Sequence, residues 1–224
     1  MSVFRDLVNI WKSEDSLSQA WKESNDMLHL SHEMFNDAVE ALRTGEKNKV
    51  LKSIKLRDEK INDYHREIRK KVVTYYSVSK DVTNIDSGLV LINTVVDIER
   101  IGDYSKNILD LAKHYPKKFI AEKFSEDLRA IEETVIDRFS STIKAVENMD
   151  ENLADELIAS YRNDLGKISD KLVAASISGD VEIGKENKTA SVALYARYLK
   201  RIGAHLKNIT SLVVNPFESI GYIK

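Results

Sequence analysis

Glu99 and Asp103 stand four residues apart in the stretch Asp97-Ile98-Glu99-Arg100-Ile101-Gly102-Asp103. On a helix that spacing makes two carboxylates neighbours, and like charges so placed repel by about 0.3 kcal/mol. A cation relieves the conflict. Carboxylate oxygens are hard donors, suited to Mg²⁺, Ca²⁺, Mn²⁺ or iron. A solvated acidic face has the same spacing, and for the pair alone it is the commoner outcome. With Ile98 as the zero of a helical wheel, Leu91, Ile101, Ser105 and Ala112 cluster on one side. Glu99, Asp103, Asn107 and Asp110 fall about 100–180° away, which places the acids opposite the apolar seam.

Other constellations carry less. The chain has no cysteine, which excludes disulfide frameworks, thiolate metal sites and cysteine nucleophiles. His29, His32, His65, His114 and His205 show no H-E-x-x-H spacing, and no Glu-x-x-His pair of the di-iron carboxylate kind occurs. His65 lies near an apolar face and reads as a packed histidine. Residues 179–186 come within one residue of a P-loop, with Glu186 where the Mg²⁺-binding Ser or Thr belongs. An interhelical hairpin is the plainer reading. Arg66, Arg69, Lys70 and Lys71 are interrupted by Glu59, Asp63 and Glu67 on the same segment. That is salt-bridge decoration rather than a nucleic-acid track. The residues point to a non-enzyme.

The elements that must position these residues are helices. In 224 residues there are only two prolines and eight glycines, too few turn residues for a strand-rich fold. Apolar stripes of helical period run along six segments, at about residues 17–43, 48–80, 87–114, 126–149, 151–176 and 186–213. The third stripe is Leu91, Val95, Ile98, Ile101, Ser105, Ile108 and Ala112. Thr44-Gly45-Glu46 breaks the first segment from the second, and Pro116 and Pro216 close the third and sixth. Long helices with short connections form antiparallel bundles.

The segments fall into two sets of three. Residues 100–108 and 201–209 match at six of nine positions, at an offset of 101. The expectation is an all-α fold of two tandem antiparallel three-helix bundles with pseudo-twofold symmetry, residues 1–116 and 117–224. Gly102 and Gly203 fall at the same place in each copy. A mid-helix glycine costs about 1 kcal/mol against alanine. Close approach of a neighbouring helix backbone, which a Cβ would obstruct, is the expected compensation.

Asp97 to Asp103, followed by Asn107-Ile108, resembles the signature of the PhoU family. Residues 199–205, with Asn208-Ile209, repeat it in weakened form. Arg57-Asp58-Glu59-Lys60-Ile61-Asn62 is similar to the stretch that pairs with it. The resemblance covers roughly residues 17–214. It implies a regulator of phosphate uptake and signalling, acting between the ATPase of a phosphate ABC transporter and a sensor histidine kinase. It also implies a metal ion, iron, manganese, zinc or magnesium, on an acidic surface. Glu99 and Asp103 match the family's acidic motif, and Asp58 matches an acidic position of the second helix. In the second copy Lys200 and Ala204 replace the two acids, and Leu165 and Ser169 stand for Asp58 and Asn62. No metal is expected there. The alternatives are a PhoU-like regulator of another ion transporter and a helical-bundle metal-carboxylate enzyme.

No run of apolar residues is long enough to span a membrane, and no secretory signal is visible. A cytoplasmic protein is expected, reaching membranes only through partners and binding no nucleic acid. Phe4, Leu7, Val8 and Trp11 form a short amphipathic stripe. It suits packing on the chain's own bundle or on a second protomer in a homodimer.

Overall fold

The computed structural model describes residues 16–79, 85–115, 119, 124–178, 188–215 and 217–221. The stripe at Phe4, Leu7, Val8 and Trp11 and the hairpin at 179–186 lie outside the described residues. Within them the chain is helical, with no strand.

Helix α1 is Ser16–Thr44, followed by α2 (Asn48–Lys55), α3 (Arg57–Ser79) and α4 (Ile85–His114). The second half holds α5 (Ser125–Asn148), α6 (Glu151–Tyr161), a π-helical turn (Arg162–Gly166), α7 (Lys167–Ser178) and α8 (Lys188–Ser211). All six expected segments are present. The second and the fifth are interrupted, the second by a turn at Leu56 and the fifth by the π turn. Each interruption lies beside the residues that meet a glycine of the third helix of its bundle.

Helix ends have local causes. Gly45 takes φ 76° after α1, and the amides of Gly45 and Glu46 both donate to the Ala41 carbonyl. That left-handed cap satisfies a carbonyl the helix would otherwise orphan. Asp150 caps α6, its carboxylate accepting from the Leu153 amide at 3.0 Å.

Helices α1, α3 and α4 pack on one another, and α8 packs on α5, α6 and α7. The seven stripe residues of α4 are all buried, facing Met27, Met34 and Phe35 of α1 and Ile61 and Ile68 of α3. Burying each large aliphatic side chain contributes about 1.5–3 kcal/mol. The bundles meet along α4 and α8, with a smaller contact between α1 and α5.

Pseudo-twofold symmetry shows in the α4–α8 contact. Tyr104 meets Tyr198, and His205 meets Asp97. An offset of 101 carries 104 to 205 and 97 to 198, so each pair is the image of the other.

The glycines answer to side chains rather than to backbone. A Cβ at Gly102 would lie 3.3 Å from Ile61 Cδ1 and 3.4 Å from Asp58 Oδ1. At Gly203 it would lie 2.0 Å from Leu165 Cδ2. The expected close approach is present, but buried side chains of the second helix make it. Leu165 meets Gly203 much as Asp58 meets Gly102.

Candidate functional site

The outward face of α4 carries Glu99, Asp103, Lys106 and Asp110 at steps of three and four residues, with Arg100 next to Glu99. Helix α3 begins beside it. Asp58 lies in the first turn of α3, and the close contact at Gly102 brings it against α4. Three elements therefore converge, with Lys55 from the end of α2.

The structure sets the three expected residues, Asp58, Glu99 and Asp103, close together around Lys106 and Arg100, without their carboxylates converging on one point. They are less exposed than a helical wheel implies: their side chains are 10%, 17% and 32% accessible. A helix touching two neighbours in its own bundle and α8 in the other has little free face left.

Lys106 joins two of them. Its Nζ lies 2.8 Å from Asp58 Oδ2 and 2.8 Å from Asp103 Oδ1. The Asn62 amide donates to the same Asp58 oxygen at 2.9 Å. Arg100 donates to Asp103 Oδ2 at 3.0 Å and stands 3.6 Å from Glu99. Asp58 Oδ1 is buried against Gly102 without a hydrogen-bond partner among the described residues. Burial, and then the Asp103 charge, raise the Glu99 carboxyl above its usual range. Burial works against the Lys106 ammonium, but hydrogen bonds to Asp103 and Asp58 overcome it and raise its pKa. A cleft of about 500 Å³ opens on this face between Lys55, Arg100, Asp103, Lys106 and Asp110. The Lys55–Asp110 pair, at 2.8 Å, lines it.

The metal that the family resemblance implies can be tested against these donors. Two of the three carboxylates already share an ammonium. Among the described residues no three His, Cys, Asp or Glu side chains converge as ligands. As arranged, the residues do not fit a metal ion.

The equivalent face of the second bundle has no acid at these positions. Lys200, in the place of Glu99, donates to Asp170 at 2.5 Å. Ser169 is buried and donates to the Ala196 carbonyl at 3.0 Å, so it points inward.

Sequence reasoning missed the counter-ions and the seam between bundles. The Arg100–Asp103 and Asp103–Lys106 spacings of three residues were a readable signal for the counter-ions. His205 Nδ1 lies 2.6 Å from Asp97 Oδ1, and the Asn208 amide donates to the same oxygen at 3.2 Å. Arg201 Nε donates to the Tyr104 hydroxyl at 3.2 Å. An apolar groove of about 320 Å³, walled by Val72, Val73, Tyr76, Ile85 and Leu89, also lies between α3 and α4. Among the described residues no helix is long and apolar enough to cross a membrane.

Comparison with known proteins agrees with this architecture. Residues 25–112 match the family model of the PhoU domain, somewhat under half of the chain. A comparison with curated proteins gave no significant match. The crystal structure of PhoU from Pseudomonas aeruginosa superposes with a TM-score of 0.77 at 21% identity. The superposition covers 89% of this chain and 95% of that one. At that identity the likeness speaks for the fold, and the domain match speaks for the first bundle. Residues 25–112 are therefore similar to the PhoU domain, in a chain whose two bundles have the fold of PhoU.

Proposed function

We propose that this chain regulates phosphate uptake and phosphate signalling without catalysing a reaction. It acts as an adaptor between the ATPase of a phosphate ABC transporter and a sensor histidine kinase. The observation that carries this reading is the similarity of residues 25–112 to the PhoU domain, set in a fold that matches PhoU across nearly the whole chain. The charged side chains of α4 support it. They are paired with one another across helices, as in Lys55–Asp110 and Lys106–Asp58. Such a surface is preorganised to meet a protein without large rearrangement.

The test is affinity capture from solubilised membranes of the source cells, with the full chain as bait. Recovery of a phosphate-transporter ATPase or a sensor kinase is the expected result. Recovery of a different ion transporter instead would redirect the regulatory role to that transporter. Reproducible turnover of a small substrate by the purified chain would overturn the non-catalytic reading.

A further inference from the structure

The acidic face of α4 contains its own cation. Lys106 Nζ reaches carboxylates of two helices at 2.8 Å each, Asp58 of α3 and Asp103 of α4. A bridging metal ion would stand between those same two carboxylates. Three carboxylates (Asp58, Glu99, Asp103) and two cations (Arg100, Lys106) leave a formal charge of −3 + 2 = −1. A divalent ion entering there would face the ammonium and the guanidinium as like charges. The ammonium offers only donors and can complete no coordination shell. Ammonium and metal are thus mutually exclusive at this point.

We propose that Lys106 is the resident cation of the first bundle, bridging Asp58 and Asp103 in place of a metal ion. The folded chain holds its second and third helices together there without metal. Asp58 and Asp103 are hard oxygen donors, and the ammonium stands between them. The other Asp58 oxygen, Oδ1, is buried against Gly102 and unpartnered among the described residues. Removing the lysine charge therefore lets a divalent cation approach the two carboxylates without a like charge between them.

The full-length chain and Lys106→Met, which keeps the side-chain length and drops the charge, are dialysed against Mn²⁺, and bound metal is counted. The native chain retains no stoichiometric Mn²⁺. Lys106→Met binds it tighter by on the order of tenfold or more, the effect of one like charge at contact distance. That gain disappears in Lys106→Met/Asp103→Asn. Lys106→Arg keeps the positive charge and stays metal-free. Stoichiometric Mn²⁺ in the native chain that is lost in Asp103→Asn overturns the proposal. So does a Lys106→Met protein that binds no better than the native one. A second readout does not depend on the methionine variant folding. Lys106 in the native chain reacts with acetic anhydride more slowly than the exposed lysines, and Asp58→Asn/Asp103→Asn speeds it. Equal rates in both proteins also overturn the proposal.

Discussion

Substituting Gly203 with alanine separates packing from helix propensity, because Gly102 is a matched control in the same molecule. Each alanine gains about 1 kcal/mol of helix propensity. At Gly102 the new Cβ meets Ile61 Cδ1 at 3.3 Å and Asp58 Oδ1 at 3.4 Å, so the neighbours must give by a few tenths of an ångström. The net effect there is about 0 to 1 kcal/mol of stabilisation. At Gly203 the new Cβ would sit 2.0 Å from Leu165 Cδ2, a side chain with no exposed surface. That methyl must move by at least about 1 Å within a filled core, and overpacking of this kind costs about 1–3 kcal/mol. Gly203→Ala is therefore destabilised by about 0–2 kcal/mol once the propensity gain is subtracted. At about 2–4 °C per kcal/mol for a chain of this size, its Tm falls by as much as about 8 °C. The Tm of Gly102→Ala holds or rises. Thermal unfolding followed by far-UV circular dichroism measures both. Leu165→Ala provides the cross-check, since it removes the clashing methyl. It should cost about 1–2 kcal/mol less in the Gly203→Ala background than in the native one. Equal shifts for the two alanines, or additivity with Leu165→Ala, would refute the packing argument.

Three further outcomes are expected. Asp97→Ala leaves His205 Nδ1 and the Asn208 amide without their shared acceptor between the bundles. It should cost about 1–3 kcal/mol, read as a lower urea midpoint, whereas a midpoint equal to the native one would show that water replaces the carboxylate. Arg43→Met strips the half-buried Glu132 bridge at 2.6 Å and leaves a buried carboxylate with, among the described residues, only the Tyr195 hydroxyl. The cost is about 1–3 kcal/mol, below the usual loss for a broken buried pair because Arg43 is itself partly exposed. Burial lowers the pKa of both His32 and His65 from 6.5, helped at His32 by the His29 charge and at His65 by Arg69, Arg100 and Arg66. The unfolded chain then takes up protons first as pH falls, so stability is full above 6.5 and declines below it. His65→Gln should flatten that decline in urea titrations at several pH values; an unchanged slope would remove His65 as its source.

The fold was legible because the helical period and the burial it produces are the same fact. All seven stripe residues of α4 are buried, and Gly45 ends α1 where a break was expected. The interruptions at Leu56 and at Arg162–Gly166 were not legible, since the apolar pattern continues through both. They answer to a contact with another helix. The same limit applies to the site. A helical wheel places Glu99 and Asp103 on one face, but it knows nothing of α3, which packs beside that face and delivers Asp58. Nor could it pair Asp97 with His205, which are 108 residues apart in sequence. Local spacing could have revealed the Asp103–Lys106 pair, although not that the same ammonium also binds Asp58.

The two bundles show which positions of a duplicated unit are free to change. Gly102 and Gly203 keep their places because a side chain of the second helix fills the space beside each. Core changes of that kind cost kilocalories, whereas most surface changes stay within about 0.5 kcal/mol. The outward positions have accordingly diverged: Glu99 corresponds to Lys200, and Asp103 to Ala204. Yet both copies arrive at one electrostatic arrangement, an ammonium of the third helix on an aspartate of the second. In the first bundle it is Lys106 on Asp58, and in the second Lys200 on Asp170. The residues are not equivalent, because Lys207, the counterpart of Lys106, donates to the Gly221 carbonyl instead. The two pairs also differ in weight. Asp58 is one-tenth exposed and Asp170 about three-fifths, so solvent screens the second pair far more. Neutralising Lys106 should therefore disturb its bundle more than neutralising Lys200 disturbs the other, even though the two lysines make the same kind of bond.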